Sequence, residues 1–303
     1  MVDSARLEDR SIVLCWAMRG TFHLVAAEDH GWIVPLTVGP GRANAMRRLK
    51  QEGMPSGQPE RAQRLIEQML EREGPLTRPE IGERLQRSGI HTAGQSLAHL
   101  LWLAAATGRV CFGPDRQGKR CAVLTLDWLV QSAPISREAA LAELALRYLA
   151  AHGPAEPADL AFWSGLRPAD ANAAWSSIRH NLTEVHTAGG PLWMLRSRAR
   201  HAEGWLVRLL PAFDEYLLGW KDRRLIASAE DWGSVNRGGG WIHPALVFDG
   251  RLVATWRSHA KPSVVTIEVR PFTDLSPAAR QGAEAEASHI ASFLGTSARL
   301  AVD

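Results

Sequence analysis

Residues 61–86 read RAQRLIEQMLEREGPLTRPEIGERLQ, and this segment has a clear pattern of two successive helices. Apolar residues between Ala62 and Leu70 recur at helical spacing, which predicts an amphipathic helix that ends at Gly74-Pro75. The run Thr77-Arg78-Pro79-Glu80 has the spacing of a capping box, so a second, short helix is predicted to begin there and to reach Arg87. Two helices joined by a tight turn are the start of a helix-turn-helix unit.

The residues that follow complete a winged helix pattern. Residues 92–95, Thr-Ala-Gly-Gln, have a second capping-box spacing and predict a third helix that ends before Gly108. Two β-prone runs, 109–112 and 119–126, then flank a turn at 114–118. Three helices followed by a two-stranded wing are typical of the winged variant of the helix-turn-helix.

The same order of elements returns further along the chain, which predicts an internal duplication. Gly153-Pro154 follows the first helix of the second copy, as Gly74-Pro75 does in the first copy. A Gly189-Gly190 turn separates the two strands of its wing. The predicted helices are 138–151, 157–164 and 168–181, and the predicted strands are 184–187 and 192–195.

The N-terminal region has the pattern of a further copy that is only partial. Residues 12–18 and 21–25 are β-prone and flank Arg19-Gly20, which predicts a hairpin that serves as a wing. The helices that should precede this wing have no room in the first eleven residues, so we expect a truncated first module. Helices are also predicted at 26–36, with Glu28 and Asp29 in the first turn, and at 43–51.

The pattern changes to β after residue 200. Asp249-Gly250 is a strong hairpin signal between two β-prone runs, and Ser276-Pro277 opens a terminal helix. The expected fold class is α+β, with tandem winged helix-turn-helix modules, the first one partial, and a β-rich C-terminal domain with a terminal helix. The predicted boundaries are 1–58, 59–132, 133–200 and 201–303.

Length and composition narrow the classes of protein. The chain has 303 residues, of which 46% are hydrophobic and 22% charged, as in soluble proteins of two to four domains. No apolar run approaches the about 20 residues that a membrane span needs. Cys15, Cys111 and Cys121 show no CxxC spacing, which predicts neither a disulfide framework nor a zinc site. We therefore expect a cytoplasmic protein.

Arginine dominates the basic residues, since only four of the 35 are Lys. Arginine forks suit phosphate groups, but a GC-rich genome also enriches arginine. If residues 196–200 are extended, their arginines face one way and contact DNA phosphates; the alternative is an ordinary solvated surface. The two basic clusters are Arg42, Arg47, Arg48 and Lys50, and Arg196, Arg198, Arg200 and Arg208.

Residues 206–224, LVRLLPAFDEYLLGWKDRR, place an acidic pair beside residues that favour burial. Asp214 and Glu215 would then lie at the edge of a buried region, where a charge needs a partner or a task. One interpretation is an ion-paired domain joint with Arg223 or Arg224. The other is a cleft beside a charged polymer. The apolar residues expected to be buried are Phe213, Tyr216, Leu217 and Trp220.

The twelve tryptophans invite a base-stacking interpretation, but most lie on apolar faces, where core packing is favoured. Trp232 and Trp241 are the exceptions, because they lie in a glycine-rich loop with Arg237. Phosphate-loop, dinucleotide-binding and HExxH motifs do not occur in the sequence. The spacing of the histidines assembles no catalytic triad.

Four segments together resemble the AlkZ/YcaQ-like winged helix DNA glycosylases, in the same order as in that family. The resemblance implies three winged helix modules and a β-domain that form a concave surface for double-stranded DNA. It also implies hydrolysis of the N-glycosidic bond of alkylated or crosslinked bases by a monomer without a cofactor. The segments are WAMRGTFHLVAAED (16–29), HGPAEPADLAFWSGL (152–166), RLLPAFDEYLLGWKDR (208–223) and VFDGRLVATWR (247–257).

One departure from the family concerns catalysis. The family's signature is Gln-aliphatic-Gln or Gln-aliphatic-Asp upstream of the MRGT segment, and no Gln in this sequence has Gln or Asp two residues later. Glycosidic cleavage needs polar groups that hold a water and offset positive charge on the sugar. We therefore expect this sequence to bind DNA and to excise alkylated bases poorly or not at all. The alternative is a non-catalytic DNA-binding or regulatory protein.

The candidate residues follow from the resemblance and from charge. Asp214 and Glu215 are the first carboxylates to consider for catalysis, followed by Glu28 and Asp29. The candidate DNA contacts are Arg19, Thr21, His23, Arg47, Arg48, Arg196, Arg198, Arg200, Lys221 and Arg223.

Overall fold

The computed structural model describes residues 2–130, 132–187, 189–198 and 206–303. The chain is a mixed α+β protein that divides into two compact units. The first unit contains residues 1–147 and 160–180, and the second contains residues 148–159 and 181–303. The predicted four-part division of the chain stays a prediction.

The first unit contains most of the helices. Its two hairpins, at residues 12–26 and 110–124, lie where the sequence predicts them. Glu28 and Asp29 lie in a short 3-10 turn that precedes the helix at residues 30–38 instead of inside its first turn. The helices are α1 Val2–Leu7, α2 His30–Val38, α3 Arg42–Gln51, α4 Gln58–Glu73, α5 Arg78–Arg87, α6 Ser96–Ala105 and α7 Thr125–Trp128, and the strands are β1 Ile12–Ala17, β2 Thr21–Ala26, β3 Leu76–Thr77, β4 Val110–Arg116 and β5 Lys119–Leu124.

One five-stranded sheet joins the two hairpins of the first unit, in the order β2-β1-β4-β5-β3. The link between them is a short antiparallel pairing at Leu14 and Phe112. The face with Val13 and Cys15 packs on a buried cluster that includes Cys111. Burial raises the pKa of the Cys15 and Cys111 thiols to about 12, so both are protonated at neutral pH.

The two predicted capping boxes have different outcomes. At α5 the Thr77 side chain and Glu80 form the reciprocal bonds of a capping box, as predicted. The second capping box, at Thr92, is wrong. The helix begins four residues later at the buried Ser96, with no side-chain bond from its cap residue Gln95. Gly94 has a φ of +58°, and this left-handed turn keeps residues 92–95 outside the helix.

Three helices follow one another between residues 137 and 177. They are α8 Arg137–His152, α9 Pro157–Ser164 and α10 Pro168–Ser177. The last is shorter than predicted, because a 3-10 turn at residues 179–181 replaces its final turn. A hairpin follows, with strands β6 Leu182–Thr187 and β7 Gly190–Leu195. The order helix, helix, helix, hairpin is therefore present at 58–124 and again at 137–195.

The second unit has a five-stranded sheet and three helices. The strands are β8 Val207–Leu210, β9 Ala245–Phe248, β10 Arg251–Lys261, β11 Val264–Pro271 and β12 Ser297–Val302, and the helices are α11 Glu215–Leu218, α12 Ala229–Val235 and α13 Pro277–Leu294. The order of the strands in the sheet is β12-β11-β10-β9-β8, and the predicted Asp249-Gly250 turn joins β9 and β10. Small residues let the terminal helix α13 lie close to the sheet, since a Cβ on Gly282 would be 2.2 Å from Val207.

Two features of the described residues bear on the class of protein. No helix among them has both the length and the apolar character needed to cross a bilayer. No cluster of three or more His, Cys, Asp and Glu side chains among them is arranged to hold a metal ion.

Candidate nucleic-acid interface

The turn of the β1–β2 hairpin carries three of the predicted DNA contacts. The Arg19 backbone has a φ of +57°, and its guanidinium donates to the Trp163 carbonyl. Gly165 lies against the same turn, because a Cβ on it would be 3.0 Å from the Arg19 nitrogen. The Thr21 hydroxyl is 2.9 Å from Nε2 of His23. The structure brings the three residues together, and Arg19 also holds the hairpin turn in place.

Helix α3 presents the first basic cluster to solvent. Ala45 and Leu49 are buried one turn apart, so Arg47, Arg48 and Lys50 lie on the exposed side of the helix. Arg47 donates to Asn44 at 2.6 Å and Arg48 lies 3.4 Å from Gln51, both neutral amides. Within the described part of the chain these cations have no carboxylate partner, so their charge is available to a phosphate.

The second basic cluster differs from the prediction. Arg196 and Arg198 lie in a 3-10 turn and not in an extended segment, so the predicted alternation of their side chains is wrong. The Arg196 guanidinium donates to the Leu182 carbonyl at 3.0 Å, which holds the turn on the β6–β7 hairpin. Arg208 is 3.4 Å from Glu286 and is partly neutralised. Arg200 lies outside the described residues.

The segment after α11 is fixed by a buried carboxylate. Asp159 is 3% exposed and accepts a hydrogen bond from the Lys221 backbone N–H at 2.8 Å. The Lys221 side chain is exposed. The Arg223 guanidinium lies 4.2 Å from the centre of the Trp232 ring, and burial lowers its pKa while Asp159 opposes that shift. Lys221 and Arg223 thus lie next to each other on a fixed backbone.

Asp214, the first residue of the acidic pair, caps a short helix. The Asp214 carboxylate accepts from the Tyr216 N–H at 2.9 Å and caps α11. Arg224, one of the two arginines predicted to hold the acidic pair, binds Asp222 at 2.5 Å instead. Glu215 is exposed in the first turn of α11. The structure therefore gives Asp214 a stabilising role at a helix end.

This cap gives a prediction. Asp214→Asn is expected to leave the melting temperature nearly unchanged, because Asn is as good an N-cap as Asp, whereas Asp214→Ala is expected to cost about 1 kcal/mol. Thermal denaturation of both variants measures the difference. Equal losses in the two variants would show that the charge of Asp214, and not its cap, stabilises the fold.

The predicted aromatic loop is divided between two environments. Trp232 lies in helix α12 and not in the glycine-rich loop, while Trp241 is in the loop and is 56% exposed. Phe213, predicted to be buried, is 41% exposed because its φ of +59° turns the chain outward. It packs edge-to-face on Trp241 at 5.0 Å. Arg237 is exposed in the same loop.

The remaining predicted carboxylates are at the start of α2. Asp29 is buried, pairs with Arg147 and accepts from Trp32 Nε1 at 3.1 Å, so it is already occupied by internal partners. Glu28 is exposed. His30 is 1% exposed, neither ring nitrogen has a hydrogen-bond partner in the described part of the chain, and burial lowers its pKa to about 4.

Sequence reasoning missed an aromatic group on the five-stranded sheet. Trp16 and Phe22 face each other across the β1–β2 hairpin with ring centres 4.7 Å apart, and Phe112 packs on both rings. The register of the predicted hairpin places Trp16 opposite Phe22 and was the available signal. The contribution of Phe112 depends on the pairing of β1 with β4, which no local pattern indicates.

A mixed α+β chain with clusters of exposed cations has the character of a nucleic-acid-binding protein. The sequence pattern of the family described as "DNA glycosylase AlkZ-like" matches residues 1–293. The "Interstrand DNA cross-link repair glycosylase" of Streptomyces sahachiroi is 30% identical over 315 residues, which cover 95% of this chain and 81% of that protein. The chain belongs to the AlkZ-like DNA glycosylase family, as the resemblance indicated.

The fold agrees with this membership. The solved structure of "Streptomyces sahachiroi DNA glycosylase AlkZ" is similar to this chain with a TM-score of 0.82 and 27% identity. The similarity covers 97% of this chain and 82% of that structure.

Proposed function

We propose that this chain is a monomeric repair protein that binds double-stranded DNA and hydrolyses the N-glycosidic bond of alkylated or crosslinked bases. Water adds to the sugar carbon as the base leaves, and the oxocarbenium-like state between them needs nearby negative or polar groups. The helices and hairpins at 58–124 and 137–195 act as winged helix modules in this proposal. A nucleoid-associated cytoplasmic location fits such a substrate.

The observation that carries the proposal is the row of unneutralised cations on α3. Arg47 and Arg48 are held by neutral amides, which orient each guanidinium without cancelling its charge. Lys221 and Arg223 supply a second basic site in the other unit. Positive groups oriented in this way bind DNA phosphates regardless of the base sequence. A glycosylase that acts on damaged bases in any sequence requires such binding.

A second candidate function is DNA binding without base excision. It is favoured by the absence of Gln-aliphatic-Gln and Gln-aliphatic-Asp from the sequence. It is also favoured by the internal roles of the candidate carboxylates, since Asp214 caps a helix and Asp29 binds Arg147. Arg19, Thr21 and His23 then act as DNA contacts only.

The experiment that separates the two candidates uses a duplex oligonucleotide with one methylated purine. Released base is measured by cleavage at the resulting abasic site, and binding is measured on the same duplex. Release by the 303-residue chain supports the glycosylase. Binding without release supports the second candidate, and the absence of both contradicts the two proposals together.

The double variant Arg47→Gln, Arg48→Gln is expected to weaken duplex binding on the order of tenfold at physiological salt, because two phosphate contacts are lost. The loss should be equal for unrelated duplex sequences, since these contacts read no bases. Fluorescence anisotropy with two duplexes measures it. Arg280→Gln, Arg299→Gln is the matched control, as both arginines are exposed in the second unit. Equal affinities of the two double variants would remove α3 from the interface.

A further inference from the structure

The aromatic group on the sheet of the first unit opens into a cavity of about 680 Å³. Trp16, Phe22 and Phe112 form one wall of this cavity. Phe22 is 45% exposed, although it is a large apolar side chain within a strand of the sheet. Exposed aromatic rings in a concavity are typical of sites for planar ligands. We call this cavity the aromatic pocket.

The rim of the aromatic pocket is positively charged. Arg78, Lys119 and Arg120 line it, and none of the three has a carboxylate partner among the described residues. The Arg120 guanidinium lies 5.4 Å from the centre of the Phe22 ring. Asp115 is the acidic residue of the lining, and it lies 3.6 Å from Arg6, which offsets its charge. The net charge at the rim therefore favours an anion.

We infer that the aromatic pocket binds an unpaired nucleotide of the bound DNA, with its base on the Phe22 ring and its phosphate on Arg120 and Lys119. Stacking on aromatic rings accepts any base, and the cations beside the rings supply the phosphate contact. The volume of about 680 Å³ accommodates a base and its sugar-phosphate. The inference rests on the proposed DNA binding and extends it from paired to unpaired nucleotides.

The positive charge of the aromatic pocket favours a nucleotide over an apolar peptide as its ligand. An apolar peptide would fit the three rings but would leave three cations desolvated without partners, which is costly. A nucleotide carries a flat base and a negatively charged phosphate. The base would contact the Phe22 ring and the phosphate would contact Arg120, whose guanidinium lies 5.4 Å from the centre of that ring. Excision of a base, as proposed above, leaves the base on the opposite strand without a partner, so the proposed reaction itself produces an unpaired nucleotide.

The test compares a duplex that carries one bulged 2-aminopurine with the same duplex fully paired. The wild-type chain is expected to bind the bulged duplex at least about fivefold more tightly and to quench the probe on stacking. Phe22→Ala is expected to remove this preference, and Arg120→Gln to reduce it. Phe22→Tyr keeps an aromatic ring and is expected to retain it.

Leu24→Ala is the matched control, because Leu24 lies two residues further on the same strand and face and is 49% exposed. It should keep the preference, and circular dichroism should show each variant folded.

Equal binding of the two duplexes by the wild-type chain would overturn the inference and leave the proposed function standing. Displacement of the bulged duplex by an acidic aromatic peptide that also binds through Phe22 would assign the pocket to a protein partner. If the wild-type chain binds neither duplex, the inference and the proposed function are both overturned.

Discussion

Replacing Asp159 with Ala is expected to lower the free energy of unfolding by about 3 kcal/mol, because two partly buried N–H groups would lose the carboxylate that accepts from them. The Asp159 carboxylate accepts from the Glu156 N–H at 3.0 Å and from the Lys221 N–H at 2.8 Å. It thus holds the start of α9 and the segment with Lys221 and Arg223 at the same time. The variant should also bind DNA less tightly, since that segment loses its fixed backbone.

Urea denaturation measures this loss. Asp159→Asn keeps one oxygen acceptor and is expected to lose less than the Ala variant. Asp274→Ala is the control, because Asp274 is exposed in a loop of the same unit and its replacement should change stability by less than about 0.5 kcal/mol. If Asp159→Ala and Asp274→Ala have equal stabilities, Asp159 does not organise the segment.

Acidification is expected to destabilise the first unit through His30. Burial lowers the pKa of His30 from 6.5 to about 4, so the folded state binds fewer protons than the unfolded state between these values. The stabilisation is complete above pH 6.5 and is lost as the pH falls towards 4. One pKa unit corresponds to about 1.4 kcal/mol, so this residue alone accounts for about 3 kcal/mol.

The measurement is the free energy of unfolding of wild-type and His30→Leu chains at several pH values. The variant is expected to lose less stability than the wild type between pH 6.5 and 4. His180→Leu is the control, as His180 is exposed in the same unit. Parallel curves for the wild type and His30→Leu would show that His30 is not kept neutral by burial.

Local patterns predicted the elements that local physics forms. The capping box at Thr77, the Asp249-Gly250 turn and the hairpin turn at Arg19-Gly20 depend on residues a few positions apart. The failed capping box at Thr92 has the same spacing. The burial of Ser96 and the turn at Gly94 decided where α6 begins, and neither is visible in the spacing.

Strand pairings between segments far apart in the chain could not be predicted from the sequence. The parallel strand β12 lies beside β11, and a short run after a terminal helix gives no sign of this partner. The same holds for the pairing of Leu14 with Phe112, which completes the aromatic pocket. The charge of the candidate site was predictable at Arg47 and Arg48, whereas the role of Asp159 depended on its contact with Lys221, 62 residues away.

The salt dependence of duplex binding shows whether this protein binds DNA through its phosphates, which both candidate functions require. The binding constant of the wild-type chain is measured against salt concentration with one undamaged duplex. Each neutralised phosphate contributes about −0.9 to the slope of log K against log salt concentration, so Arg47 and Arg48 alone predict a slope of about −2 or steeper. A binding constant that does not change with salt, or no binding at low salt, would contradict phosphate-directed DNA binding by this protein.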